Sequence, residues 1–268
     1  FEWTVLDAGL AEPTAAPTVD LGASPGSDVR EAEAVPDAGA IFDRAYDFGA
    51  SLPDEEVLIG ETIPGGTTTA LGAFTALGEP FGVSSSLPAN PLEQKRAVVD
   101  EALAASALAP GDCAGEPLAA IRAVGDPVQA AVAGVAAGAL ETGTSVRLGG
   151  GTQLVAVAAL LRHADVSAPL ELATTSFVAE DPGADLETAA ERLDLEVVAT
   201  DPGFDGADHV AMERYCAGEA KEGVAMGGAL SLASDGEMAA VRDRLEAVCA
   251  RLGIDADDGL AGGPDDGA

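Results

Sequence analysis

The feature that most constrains the fold is an alternation of short apolar runs and longer helical patterns. Apolar runs of strand length recur at residues 3–6, 57–59, 81–83, 145–148, 170–173 and 195–199. Helical patterns lie between most of them, at residues 37–52, 68–77, 91–108, 152–163 and 185–193. Such alternation is typical of βαβ units, whose crossover helices cover both faces of a parallel sheet. We therefore predict a three-layer α/β/α fold with a largely parallel, Rossmann-like sheet in a single domain.

Two further helices and a long loop complete this prediction. Residues 127–140 are rich in Ala and Gly and apolar nearly all round, which predicts a buried helix packed through its small residues. Residues 237–252 predict an amphipathic closing helix. Its apolar residues at helical spacing are Met238, Val241, Leu245, Val248 and Leu252. The Pro- and Gly-containing residues 11–30 predict a long loop. We assign residues 1–253 to the domain and residues 254–268 to a flexible acidic tail.

The net charge of the chain disfavours some classes of function. The 268 residues include 46 acids and 13 bases, for a formal net charge of −33. The acids are scattered along the chain, which favours a wholly acidic surface, as in proteins of a high-salt cytoplasm, over an acidic tail that binds one basic partner. Lysine occurs only at Lys95 and Lys221. Because nucleic-acid binding needs Lys and Arg to neutralise phosphates, we expect no nucleic-acid partner.

The chain also lacks the sequence signals of membrane and secreted proteins. No apolar run approaches the roughly 20 residues of a membrane helix, and no secretory signal is seen. Cys113, Cys216 and Cys249 are odd in number and widely separated, so they indicate neither a disulfide framework nor a zinc site, and Cys216 is predicted to be a small core residue. We expect a soluble, cytoplasmic protein. Since the chain begins at Phe1 without Met and soon forms a strand pattern, we also expect a preceding segment to be missing.

The first candidate site is the loop that follows the apolar run 57–59. This loop carries Glu61, then Gly65, Gly66 and the threonines 67–69. Ligands of open α/β sheets bind beyond the carboxyl ends of the strands, and a helix N-terminus favours phosphate there. The alternative is an ordinary tight turn with a Thr N-cap. Neither a Walker P-loop nor a G-x-G-x-x-G fingerprint occurs.

A second loop of the same kind follows residues 145–148. It reads Gly149-Gly150-Gly151-Thr152 and also leads from a strand pattern into a helical one. Two such loops favour one anionic ligand held between them. Residues 84–91 are either a third rim loop or the N-cap of the next helix.

The third candidate is a glycine-flanked segment that contains Lys221 and Glu222 at the head of a small-residue helix. Glu222 is a candidate general base if burial raises its pKa toward working pH. Lys221 is predicted to meet a phosphate or to orient a carboxylate. The alternative is a solvated surface turn.

Both histidines have simpler interpretations. His163 lies near a predicted helix C-terminus, where capping is favoured over catalysis. His209 lies near Asp205 and Asp208, but this spacing matches no standard metal motif.

Several motifs together resemble those of one protein family. They are GETIPGGTTTALG, SSSLPANP, GGGTQ, ATTSFVAED and DPGF with GEAKEGVAMGGA. In this combination the chain resembles an archaeal family related to nicotinate-nucleotide:dimethylbenzimidazole phosphoribosyltransferase of cobalamin synthesis. The resemblance to the archaeal family spans nearly the whole chain.

The resemblance implies an α/β/α homodimer that uses no metal or other cofactor. It would transfer the phosphoribosyl group of nicotinate mononucleotide to a benzimidazole nitrogen, with inversion at the anomeric carbon. Glu222 would be the catalytic base and Glu61 would assist at the reacting centre. The residues implied to face the phosphate or ribose are Gly65, Gly66, Thr67, Thr68, Gly149 and Gly150.

Two functions therefore stay open. The first is a phosphoribosyltransferase acting on nicotinate mononucleotide and an aromatic base, which is benzimidazole-like, adenine or a phenol. The second is a non-catalytic nucleotide- or phosphosugar-binding protein on the same fold. A buried Glu222 within reach of the glycine loops favours the first.

Overall fold

A four-stranded parallel sheet organises the computed structural model, which describes residues 2–233 and 235–254. The strands are β1 Leu6–Asp7, β2 Val19–Asp20, β3 Glu56–Gly60, β4 Ser145–Gly149, β5 Leu170–Thr175 and β6 Leu195–Thr200. Strands β3 to β6 lie side by side in chain order, and each neighbouring pair is parallel. Strands β1 and β2 form a separate parallel pair.

Helices connect the strands of the sheet, as parallel pairing requires. They are α1 Ala38–Ala50, α2 Gly66–Leu77, α3 Leu92–Ala105, α4 Pro117–Val124, α5 Pro127–Glu141, α6 Thr152–His163, α7 Ser176–Ala179, α8 Leu186–Leu193, α9 Val210–Cys216, α10 Met226–Leu230 and α11 Met238–Arg251. A 3₁₀ turn, Asp235–Glu237, precedes α11.

Helices cover the sheet from both faces. Helices α5 and α6 pack against β3, β4 and β5, while α10 crosses the strands on the other face. Side chains alternate between faces along β4: Val146 and Leu148 are buried on the α5/α6 side, whereas Gly149 meets α10. The three-layer α/β/α fold with a parallel sheet is thus confirmed.

The predicted strands 57–59, 145–148, 170–173 and 195–199 all lie in the sheet. The predicted helices match α1, α2, α3, α5, α6, α8 and α11 to within a few residues at each end. The long strand–helix alternation was sufficient for these elements, because each has both a clear apolar period and turn residues at its ends. Helices α4, α7 and α9 were not predicted.

The predicted strand at residues 81–83 is wrong. The segment is extended, with Phe81 packed edge-to-face on Phe74, but it joins neither sheet. A side chain binds one of its carbonyl groups instead: the Asn90 amide donates to the carbonyl of Val83 over 2.8 Å. An apolar run cannot show whether a strand or a side chain will satisfy its backbone.

The amino-terminal prediction needs a similar correction. Of residues 3–6 only Leu6 is in a strand, and Trp3 is 74% exposed. The partner of β1 is β2, which lies inside the predicted loop 11–30. The N–H of Val19 in β2 donates to the carbonyl of Val5 over 2.8 Å, so this loop doubles back onto the start of the chain.

The predicted carboxyl-terminal helix is confirmed as α11, but its apolar side is only partly buried. In α11 only Met238 and Cys249 are buried, and Leu252, which follows the helix, is 70% exposed. Cys216 is exposed at the end of α9, so its prediction as a core residue is wrong. The predicted tail lies outside the described residues except for Ile254. Within residues 2–233 and 235–254, no helix is both long enough and apolar enough to cross a membrane.

Helices α1 and α5 approach each other through glycines. A β-carbon on Gly138 would come within 2.1 Å of the Tyr46 carbonyl oxygen, and one on Gly49 within 2.2 Å of the Val135 carbonyl oxygen. The neighbouring atoms are backbone, which cannot move aside as a flexible side chain can. This explains why the nearly all-apolar α5 is built from Ala and Gly.

We predict that Gly138→Ala lowers the free energy of unfolding by about 2–3 kcal/mol, because the added methyl group forces α1 away from α5. Gly39→Ala is the matched control in α1, since nothing lies within 4 Å of its β-carbon. That control should be neutral or slightly stabilising. Urea unfolding at constant KCl measures both, and equal midpoints for the two variants would contradict this account of the packing.

Candidate active site

A cavity of about 280 Å³ opens beyond the carboxyl ends of the central strands. Its lining segments are residues 61–63, 65–67, 84–86, 151–153, 178 and 220–224. Ligands of parallel α/β sheets bind at this edge. Six of the nine predicted site residues share the cavity, namely Glu61, Gly65, Gly66, Thr67, Lys221 and Glu222.

The other three predicted residues do not line the cavity. Gly149 ends β4, and a β-carbon there would lie 3.1 Å from the Cα atom of Gly228. A β-carbon on Gly150 would lie 2.7 Å from Leu154. These two glycines therefore allow close packing, while residues 151–153 form the cavity wall. Thr68 lies in the first turn of α2.

Glu222 is held by the end of β5 and the head of α10. Its Oε1 accepts a hydrogen bond from the Gly227 N–H over 2.8 Å, and its Oε2 accepts one from the Thr175 N–H over 3.2 Å. Burial raises the pKa of Glu222 to about 7, and these hydrogen bonds act in the opposite direction. A carboxyl group with a pKa near the working pH suits a general base.

The backbone around Glu222 is strained. Ala220, Lys221 and Ala225 have φ angles of 60°, 23° and 57°, which residues with side chains rarely adopt. Strain of this kind persists only where surrounding contacts impose it, and it clusters at functional sites. The sequence showed flanking glycines here but did not predict left-handed alanines.

Glu61 follows β3 directly and is half-buried. Burial raises its pKa to about 7, and the negative charges of Asp126 and Glu222 add to the effect. Within the described ranges 2–233 and 235–254, Glu61 has no hydrogen-bond or ion-pair partner. Two carboxyl groups with near-neutral pKa values therefore share one cavity, an arrangement that suits acid–base chemistry.

Two helix N-termini face the same cavity without side-chain caps. The N-cap residues of α2 and α6 are Gly65 and Gly151, which have no side chain to bind the first N–H groups. The hydroxyl of Thr152 is buried and has no hydrogen-bond partner in the part of the chain that the structure describes. Open N–H groups and a helix dipole favour an anion, and this hydroxyl offers it a further donor.

Both lysines of the chain lie beside residues 84–86. The Lys221 Nζ donates to Asp181 Oδ2 over 2.7 Å, and the Ser84 hydroxyl donates to the same oxygen over 2.6 Å. Buried Lys95 donates to the Ser84 carbonyl over 2.8 Å. Burial and then the charge of Lys221 lower the pKa of Lys95. Residues 84–86 are thus a rim loop, while Pro91 is the N-cap of α3, so each of the two interpretations of residues 84–91 holds for one part of the segment.

Sequence reasoning missed Asp126, which is buried behind the cavity. It is the N-cap of α5 and accepts a hydrogen bond from the Gln129 N–H over 2.8 Å. Thr69 of α2 and Gln153 of α6 also donate to it. The pair Asp126-Pro127 could have revealed it, since an Asp N-cap followed by Pro is a helix-start signal.

The histidines have structural roles. His163 ends α6, where its Nδ1 accepts from the Gly115 N–H over 2.9 Å and its Nε2 lies 3.1 Å from Glu79 Oε1. His209 is the N-cap of α9 and accepts from the Ala211 N–H. Among the described residues, no group of three or more His, Cys, Asp or Glu side chains could hold a metal ion.

The chain is similar over most of its length to archaeal proteins of one family. It is 59% identical over 236 residues to a UPF0284 protein of Halobacterium salinarum, a match that covers 88% of this chain and 71% of that relative. The UPF0284 protein of Methanothermobacter thermautotrophicus is 40% identical over 91% of this chain, and that of Pyrococcus furiosus is 37% identical over 87%. None of the protein-family models searched matches the chain.

Two solved structures share the fold. One is the nicotinate-nucleotide–dimethylbenzimidazole phosphoribosyltransferase of Thermus thermophilus, with a TM-score of 0.55 and 24% identity over 74% of this chain. The other is CobT from the same organism, with a TM-score of 0.56 and 25% identity over 74% of this chain. The chain spans 59% and 60% of their lengths, respectively. The family resemblance predicted from the glycine and threonine motifs is confirmed.

We predict that Glu61→Gln stabilises the protein above pH 7 but not near pH 5. The pKa of Glu61 is raised from 4.5 to about 7 in the folded state, so folding favours the protonated group and loses stability as the pH rises from 4.5 through 7. Gln cannot ionise and avoids this loss, which amounts to about 1–3 kcal/mol at pH 8.

Urea unfolding at pH 5, 6, 7 and 8 measures the difference between variant and wild type. Glu187→Gln on the exposed side of α8 is the matched control for loss of an exposed carboxyl group. A Glu61→Gln difference that is the same at pH 5 and pH 8 would show that Glu61 does not titrate abnormally.

Proposed function

The chain belongs to the UPF0284 family, and from this premise we propose that it is a phosphoribosyltransferase. The proposed donor is nicotinate mononucleotide and the proposed acceptor is a benzimidazole-like base. The product is an α-riboside phosphate for the lower ligand of cobalamin. The observation that carries the proposal is the position of Glu222, whose carboxyl group has a pKa of about 7 and lines the same cavity as the uncapped Gly65 and Gly151 helix starts.

The reaction assigns complementary roles to the two carboxyl groups. One nitrogen of the acceptor attacks the anomeric carbon while the bond to nicotinate breaks, and the bonding electrons leave with the nicotinate nitrogen. The proton on the second acceptor nitrogen passes to Glu222. Ionised Glu61 stabilises the positive charge that develops on the ribosyl group in the transition state. Much of the acceleration comes from holding both substrates in attack geometry.

The donor phosphate is assigned to the helix N-termini. Gly66, Thr67, Thr152 and Gln153 begin α2 and α6 and line the cavity, and the first N–H groups of a helix have no intrahelical partner. The Thr152 hydroxyl also has no partner among the described residues. These donors bind a dianion without adding net positive charge. A cation in their place would favour the ionised forms of Glu61 and Glu222 and so lower the pKa values of both.

Localisation and assembly belong to the same proposal. We propose a cytoplasmic homodimer whose partners are small-molecule substrates and not nucleic acids. A non-catalytic nucleotide- or phosphosugar-binding role is the alternative outcome of the test below.

We predict acceptor-dependent release of nicotinate from nicotinate mononucleotide, measured by chromatography with dimethylbenzimidazole in molar KCl, which screens the charge of −33. Glu222→Gln should lower the rate by about 10²- to 10⁴-fold, as expected for loss of a general base. Because the base must be ionised, the wild-type kcat/KM should rise with pH and level off above about pH 7.

The exposed variant Glu187→Gln is the matched control and should retain wild-type activity. Equal rates for Glu222→Gln and wild type would remove Glu222 from the mechanism. Binding of the mononucleotide without nicotinate release from any of the three acceptor classes would favour the non-catalytic alternative.

A further inference from the structure

We infer that Asp126 is a positioning residue that joins the two uncapped helix N-termini into one phosphate-binding unit. Asp126 does not line the cavity, so it acts through other residues. The inference deepens the proposed function and rests on it, since the ligand concerned is the phosphate of the donor.

One carboxylate contacts the first turns of three helices. Oδ1 accepts from the Gln129 N–H of α5, and Oδ2 accepts from the Gln153 side-chain amide of α6 over 2.7 Å. The Thr69 hydroxyl of α2 donates to the same Oδ2. Asp126 is only 4% exposed, and burial raises its pKa, while the hydrogen bonds from Thr69, Gln129 and Gln153 act in the opposite direction.

The bridge controls the spacing between the two phosphate-binding ends. Thr69 belongs to the same helical turn as Gly66 and Thr67, and Gln153 directly follows Thr152. The Gln153 amide also packs on α2, since a β-carbon on Gly66 would lie 3.5 Å from it. A change at Asp126 therefore alters the distance between the N–H groups of α2 and those of α6.

Two partners of Asp126, the Gln129 N–H and the Gln153 side-chain amide, can only donate to it. The Thr69 hydroxyl donates to it as well, but also lies 3.0 Å from the Gly66 carbonyl of its own helix. The Gln153 amide nitrogen points to Asp126, and its oxygen accepts from the Gln129 amide over 3.2 Å. This fixes the orientation of Gln153. In Asp126→Asn the oxygen can still cap α5, because Asn and Asp are comparable N-caps. The new amide nitrogen, however, meets the Gln153 donor of α6 and leaves the Thr69 hydroxyl with the Gly66 carbonyl as its acceptor.

Asp126 and Glu222 share no hydrogen-bond partner among the residues that the structure describes, so the effect of Asp126 on phosphate binding can be separated from the role of Glu222 as general base. Glu222 is held by Thr175 and Gly227, and neither contacts Asp126. Loss of the bridge should therefore weaken phosphate binding while the chemical step at saturating donor is retained at pH 8, where Glu61 is largely ionised with or without the charge of Asp126 that raises its pKa. A residue with only a general structural role would not separate KM from kcat in this way.

The test measures binding of ribose 5-phosphate by calorimetry and nicotinate release by chromatography, with the protein in molar KCl at pH 8. We expect Asp126→Asn to raise both the Kd for ribose 5-phosphate and the KM for nicotinate mononucleotide by about tenfold to a hundredfold. This is the range for hydrogen bonds to a charged group. The kcat should stay within about threefold of wild type. Asp37→Asn is the matched control, because Asp37 is the N-cap of α1 and makes no side-chain capping bond.

Thr69→Val keeps the test decisive even if Asp126→Asn does not fold. It removes the hydroxyl that links α2 to Asp126 and that also lies 3.0 Å from the Gly66 carbonyl of its own helix, and we expect about threefold to tenfold weaker binding. Thr75→Val in the same helix is its control, because the Thr75 hydroxyl bonds to the Leu71 carbonyl of its own helix.

The outcomes distinguish failure of the positioning role from failure of the proposed transferase. The positioning role would be overturned if folded Thr69→Val and Asp126→Asn kept the wild-type Kd, or if their losses of affinity equalled those of the controls. A fall in kcat without a rise in KM would overturn it as well. Wild-type binding of ribose 5-phosphate without nicotinate release would refute the proposed transferase, while the Kd comparison would still decide the role of Asp126. Absence of wild-type binding would refute both.

Discussion

The close approach of α10 to the strand ends is the constraint on which the site depends. A β-carbon on Gly227 would come within 2.2 Å of backbone atoms of Thr174, and one on Gly228 within 2.8 Å of the Cα atom of Gly149. Glycine is therefore needed on both surfaces for α10 to reach the sheet. Because the Gly227 N–H also binds Glu222, this distance decides where the carboxyl group lies in the cavity.

The cavity contains two carboxyl groups and is also proposed to bind a phosphate. Different parts of the structure serve these two purposes. Burial raises the pKa of Glu61 and of Glu222 to about 7, so each is only partly ionised near neutral pH, which limits their repulsion of a phosphate. Binding capacity comes from helix N-termini instead of exposed cations. The chain's two lysines, Lys95 and Lys221, lie in a hydrogen-bonded network with Asp181 and Ser84 at the rim. In a chain whose other cations are arginines, both lysines therefore lie beside the same site.

Prediction from the sequence succeeded where a local pattern carried the information. Strands at 57–59 and 145–148 were found because each is an apolar run that ends in glycine before a helix. The segment 81–83 has an equally apolar pattern, but Asn90 takes the hydrogen bond that a neighbouring strand would have made. Helix α11 likewise has the amphipathic period, yet only Met238 of its apolar stripe is fully buried. Burial is decided by what packs on an element, and the element's own residues do not record it.

Spacing along the chain was thus enough to establish a parallel α/β sheet with glycine–threonine loops at its carboxyl edge, and to single out Glu61 and Glu222. Only the tertiary structure brought these residues, 161 positions apart, into one cavity with Asp126 behind it. It also placed Gly149 and Gly150 in packing positions and Gly151 on the wall. The physical reason is that periodicity reports short-range geometry, whereas pKa values, hydrogen-bond partners and cavity walls depend on contacts between distant segments.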